Sequence, residues 1–146
     1  QKMNENFIAL YESKMREPPL QGGALRVLAF AKKHTIKQFV LSASEHNMLN
    51  KLVNFYNIEK YFDDVLGVNN LNATGKIELA LNLIQNHNIN PKETVVIGDT
   101  LYDKEVSLSI NSHLFLVACG HFHKKRLIEQ NNIVVDKLID IIPLLS

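Results

Sequence analysis

With 146 residues, 46% of them hydrophobic and 21% charged, the chain can build one hydrophobic core, and it is too apolar for general disorder. Lys and Arg number 16 against 15 Asp and Glu, so a formal charge of +1 gives no overall field to gather nucleic acid or an anionic membrane, and neither is expected as a partner. The single cysteine, Cys119, excludes an intrachain disulfide and a multi-cysteine zinc site, and its isolation points to a reducing, cytoplasmic setting; no apolar run approaches the roughly 20 residues that cross a bilayer, and the start of the chain has no secretory-type stretch.

Phe7, Ile8, Leu10, Tyr11 and Met15 recur at helical spacing until Pro18-Pro19 stops the helix. After Gly22-Gly23, residues 24–34 predict a second helix with Leu25, Leu28 and Ala29 on its apolar face and Lys32-Lys33 at the end that suits its dipole. Residues 36–41 read as a strand buried on both faces, bounded by Ser42, Ala43 and Ser44. Ser44 is then the expected N-cap of a helix through Met48, Leu49, Leu52, Val53 and Tyr56. Residues 63–68 form a short strand, and Thr74-Gly75 precede a helix carrying Ile77, Ala80, Leu81 and Ile84, closed by Pro91. Residues 94–98, Thr-Val-Val-Ile-Gly, are the clearest strand. A strand over 114–118, a polar helix over 124–130, a short strand at Val134-Val135 and a helix through Leu138, Ile141 and Leu145, interrupted by Pro143, complete the chain. Alternating strands and helices predict an α/β fold, a Rossmann-like parallel sheet with helices on both faces.

In such sheets ligands bind outside the carboxyl ends of the strands. Ser42 follows the first strand, Gly98-Asp99-Thr100-Leu101-Tyr102-Asp103 follows the strand at 94–98, and Lys76 opens the helix between them. A hydroxyl, an ammonium and two carboxylates on one rim suit a phosphate with Mg²⁺: the carboxylates take the hard cation, Lys76 offsets phosphate charge, and Ser42 donates to a phosphoryl oxygen. Taken singly, each has an ordinary reading. Ser42 and Asp99 can be helix caps, and Lys76 can be a solvated helix residue. His121 and His123 lack the further ligands of a metal site and read as loop residues, while His34, His46, His87 and His113 carry no functional signal.

The order of these groups resembles the haloacid dehalogenase superfamily of phosphohydrolases, in particular its phosphoglycolate phosphatase-like branch. Phe39-Val40-Leu41-Ser42 is similar to the family's second motif, Lys76 to its third, and Val96-Ile97-Gly98-Asp99-Thr100-Leu101-Tyr102-Asp103 to its fourth; Tyr61-Phe62-Asp63-Asp64-Val65 resembles the passage into the third strand. The likeness implies that Asp99 ligates Mg²⁺ directly, that Asp103 stands at the metal or just behind it and orients Lys76, and that Ser42 with Ala43 and Lys76 binds the phosphoryl group. The acidic Gly98-Asp99 form belongs with the metal-dependent phosphatases rather than the metal-free dehalogenases. A small phosphorylated metabolite is the implied substrate class.

The family's first motif, Asp-x-Asp after an N-terminal strand, is not in this sequence: no Asp precedes Asp63, and Asp63-Asp64 precede a strand instead of following one. That motif supplies the nucleophile, so these 146 residues alone are expected to be inactive. Its strand belongs between the strand of Ser42 and that of Gly98. Without it two buried edges are left with unpaired backbone groups, each costing on the order of 1–3 kcal/mol. The expectation is therefore a longer phosphatase in which residues 1–20 are the remnant of a helical cap and its hinge, residues 21–146 are most of the core, and an N-terminal segment completes the sheet. The alternative is a catalytically inactive phosphate-binding or regulatory module. A dinucleotide site lacks its glycine-rich turn, and a receiver domain lacks its acceptor aspartate.

Overall fold

The computed structural model describes residues 20, 22–68, 75–118 and 132–145. Helix α1, Ala24–Lys33, buries Ala24, Val27, Leu28 and Ala31 at helical spacing and ends on Lys32 and Lys33. Strand β1 is Phe39–Glu45, helix α2 is His46–Phe55, and strand β2 is Asp64–Val68. Helix α3, Gly75–Asn86, precedes strand β3, Val95–Gly98, which feeds helix α4, Leu101–Ile110. Strands β4, His113–Val117, and β5, Ile133–Val135, lead to a 3₁₀ helix at Leu138–Leu145. The N-terminal helix and hinge, the proposed domain boundary (Leu20 apart), Thr74, Cys119, His121, His123 and the helix at 124–130 lie outside the described residues.

Five local expectations are corrected. Leu25 and Ala29, expected on the apolar face of α1, are exposed, because Ala24, Val27, Leu28 and Ala31 turn inward instead. Ser42 lies inside β1 and not after it, because the strand continues to Glu45 through an irregularity in its ladder. Glu45, not Ser44, caps α2, its carboxylate accepting the Asn47 N–H at 2.7 Å. Leu81 is 48% exposed, because α3 turns Ala80 and Leu83 inward instead. The C-terminal helix is 3₁₀ and not α; Pro143 within it has no N–H to give an α-helical carbonyl.

Among the described residues all strand pairs are parallel, and they form two sheets: β1-β2, and β3-β4-β5. Among the described residues β1 pairs only with β2, and β3 only with β4, so each keeps one backbone edge outside any ladder. The two sheets nonetheless share both faces of one core. Val40 of β1 and Ile97 of β3 pack in one cluster with α1, α2 and the 3₁₀ helix; Leu41 and Val96, their chain neighbours, pack in the other with α3 and α4. Adjacent strand residues point to opposite faces, so this division defines three layers, helices over strands over helices. The strands of Ser42 and Gly98 are thus neighbours through side chains and not through hydrogen bonds, consistent with the expected place of one further strand. A cleft of about 480 Å³ opens at their amino ends, lined by Lys37, Phe39, His87, Asn90 and Thr94 among others.

The amino ends are fastened structurally. Gln38, buried ahead of β1, donates from its side chain to the carbonyls of Leu28 and Tyr61, both at 3.1 Å, and its N–H donates to Asp63 Oδ2 at 2.8 Å. Asp64 Oδ2 lies 3.0 Å from His87 Nε2. Asp63 and Asp64 therefore sit at the start of β2, where they bind the scaffold.

Candidate active site

The carboxyl ends of β1 and β3 hold the residues singled out in the sequence. At the end of β3 the chain turns sharply into α4, and one side chain organises that turn. Asp103 Oδ2 accepts the N–H of Asp99 at 3.0 Å, the N–H of Thr100 at 3.1 Å and the Thr100 hydroxyl at 3.0 Å. Thr100 Oγ1 in return accepts the Asp103 N–H at 3.4 Å, which closes a reciprocal capping box at the start of α4. Thr100, not Asp99, is therefore the cap, and the cap reading of Asp99 falls away. The other oxygen, Asp103 Oδ1, takes the Lys76 ammonium at 2.7 Å from across the helix layer.

Lys76 is only 3% exposed and Asp103 is fully buried, so Lys76 is not a solvated helix residue. Burying an ammonium is tolerable only with a hydrogen-bonded counter-charge, and a carboxylate held by three further donors is a well-fixed one. Gly98 makes room for it: a Cβ at that position would collide with the Asp103 carboxylate. The glycine before Asp99 is thus a packing requirement of the Lys76–Asp103 pair. The Tyr102 ring also stands beside the lysine, with Nζ 5.3 Å from its centroid.

The end of β1 is built differently. Its ladder with β2 runs in step from Phe39 to Leu41 and then jumps, so that Glu45 pairs with Val68. Within the jump Ser42 Oγ accepts the Ser44 N–H at 3.0 Å; Ser42 and Ser44 are buried and Ala43 is exposed. Gly67 of β2 presses against this bulge. A Cβ there would stand 2.7 Å from the Ser44 carbonyl oxygen and 2.8 Å from His46 Cα, and the Gly67 N–H donates to His46 Nδ1 at 3.2 Å.

The structure therefore joins Lys76, Asp99 and Asp103 in one hydrogen-bonded group, and it places Ser42 and Ala43 at the carboxyl end of the other sheet. The sequence reading missed the Thr100 cap, although Thr-x-x-Asp carries its signal, and it missed Gly67, Tyr102 and the anchoring of His46, which only tertiary contact reveals. His34 and His113, read as background, donate from their rings to the Phe30 and Lys92 carbonyls at 2.9 and 3.0 Å.

Among the described residues no group of three or more His, Cys, Asp and Glu gathers to hold a metal ion. Mg²⁺ is ordinarily held by one or two carboxylates, with water and substrate phosphate completing its shell, so the buried Asp99 fits as its protein ligand here. Asp103, with both oxygens hydrogen-bonded, fits as the group that holds Asp99 and Lys76 in register. Among the described residues the buried charged side chains are two carboxylates and one ammonium, a balance that suits a cation.

The model of the haloacid dehalogenase-like hydrolases matches residues 1–117. No curated relative matches the chain. Solved structures share the fold: a predicted phosphatase from Clostridium acetobutylicum, at 18% identity and a TM-score of 0.84, covers 95% of this chain, which covers 66% of that one. A haloacid dehalogenase-like family hydrolase from Streptococcus pneumoniae gives 16% and 0.81, with coverage of 94% and 66%; a predicted phosphoglycolate phosphatase from Haemophilus somnus gives 14% and 0.80, with 96% and 64%. The chain thus spans about two thirds of the length of the structures it resembles. No helix among the described residues is long and apolar enough to cross a membrane.

Proposed function

This chain belongs to the haloacid dehalogenase-like hydrolase family, and we propose that it is the greater part of a Mg²⁺-dependent phosphohydrolase acting on a small phosphomonoester in the cytoplasm. The observation that carries this reading is the buried Lys76–Asp103 pair, fixed beside Asp99 at the carboxyl end of β3 with Gly98 left bare to admit it.

Each residue has a physical task. Lys76 sets a positive charge against the phosphoryl oxygens, in a site shielded from water where that charge acts strongly. Ser42, with Ala43 beside it, holds the phosphoryl group from the β1 side. Asp99 would hold Mg²⁺, which when bound offsets charge on the transferring group; Asp103 keeps Asp99 and Lys76 in register. The nucleophilic carboxylate, which would form an aspartyl-phosphate, is assigned to an N-terminal segment whose strand lies between β1 and β3. Two neighbouring strands that share both core faces without a common ladder support that placement.

The test is steady-state hydrolysis of a panel of phosphomonoesters by the full natural chain, with and without Mg²⁺. Activity is expected only with the metal, and Asp99→Asn should lower it by roughly two orders of magnitude or more with the fold intact. Metal-independent hydrolysis, or an undiminished Asp99→Asn variant, would remove Asp99 from that role.

A further inference from the structure

Tyr102 has no task in that scheme, yet it stands at its centre. The residue lies in the first turn of α4, directly before Asp103, and its ring takes the Lys76 ammonium at 5.3 Å from the centroid. Consecutive helix positions point about 100° apart, so one short turn approaches the same ammonium from two directions, with a carboxylate and with an aromatic face. Lys76 is 3% exposed, whereas Tyr102 is 37% exposed, so a buried ammonium has a partly exposed ring beside it.

We propose that Tyr102 is a positioning residue for the phosphoryl-binding lysine, its ring face restraining the Lys76 ammonium against Asp103 and keeping water from it. The proposal rests on the phosphohydrolase reading of this site. A lysine is a flexible four-carbon stem with a strongly hydrated head, so an aromatic face beside it adds a restraint to that of the Asp103 carboxylate. A phenol ring offers its negative face to a cation. The interaction belongs to the face and not to the hydroxyl, so phenylalanine should replace tyrosine and leucine should not.

Two measurements on the full natural chain decide it. With p-nitrophenyl phosphate, Tyr102→Leu should lower kcat/KM roughly tenfold, and Tyr102→Phe should remain within about twofold of wild type. In protein carrying ¹³C-labelled lysine, the Lys76 ε-methylene protons should be shifted upfield by the ring current, a shift retained in Tyr102→Phe and lost in Tyr102→Leu. Leucine equal to wild type in kcat/KM, equal losses with leucine and phenylalanine, or an absent ring-current shift would each overturn the proposal. A wild-type chain that hydrolyses no phosphomonoester would defeat the function proposed above, and the resonance of Lys76 would still decide whether Tyr102 restrains it.

Discussion

The two strand ends that make this rim reach a fixed shape by opposite means. At the end of β3 one buried carboxylate, Asp103, binds an ammonium, two backbone amides and a hydroxyl, and the turn is rigid because those four donors converge on it. At the end of β1 the shape comes from backbone packing, with a bulge closed by one serine hydroxyl and pressed by a glycine of the neighbouring strand. Charge organises the first end, and close backbone approach organises the second. The proposed placement of a divalent cation on one side and a phosphoryl group on the other would use both.

Substitutions can break this contrast, and the largest effect should fall on the charged end. Asp103→Asn leaves Lys76 buried without its counter-charge and should cost about 3–5 kcal/mol in chemical denaturation. A loss below about 1 kcal/mol would mean that the pair does not hold the turn. Gly98→Ala and Gly67→Ala should each cost about 1–3 kcal/mol through overpacking. Their footprints should differ in hydrogen exchange: Gly98→Ala frees the amides of Asp99 and Thr100, and Gly67→Ala frees that of Ser44. Thr100→Val removes the helix cap and should cost about 1 kcal/mol, with faster exchange confined to the first turn of α4. Ser42→Ala removes one hydrogen bond and should cost about 0.5–1.5 kcal/mol, comparable to the loss of the cap, while impairing substrate binding far more than stability.

Much of the architecture was legible because the strands are strongly patterned. Val96-Ile97-Gly98 and Phe39-Val40-Leu41 are continuous apolar runs, and the structure buries them between two helix layers. What escaped the sequence depended on partners distant along the chain. Leu81 carries the same apolar signal as Ala80 and Ile84, but α3 packs on the core through Ala80 and Ile84 and leaves it outside. Ser44 has the chemistry of a cap, yet β1 runs on through it and Glu45 takes the cap position. Lys76 could not be distinguished from a surface lysine by its neighbours in sequence; its burial follows from Asp103, 27 residues away. The Gly-Asp-Thr-x-x-Asp pattern was readable as a group, but the reason for its glycine was not, since only the folded turn brings the Asp103 carboxylate into the space of a Cβ at Gly98.

The division of labour between the two strand ends is tested most directly with Mn²⁺ as a paramagnetic stand-in for Mg²⁺, titrated into the full natural chain while amide resonances are followed. The account predicts broadening that starts at the Asp99 and Thr100 amides, reaches the Ser42–Ser44 bulge only at higher occupancy, and disappears in Asp99→Asn. Broadening centred away from β3, or unchanged by Asp99→Asn, would contradict the assignment of the cation to Asp99 and with it the phosphohydrolase reading of the site.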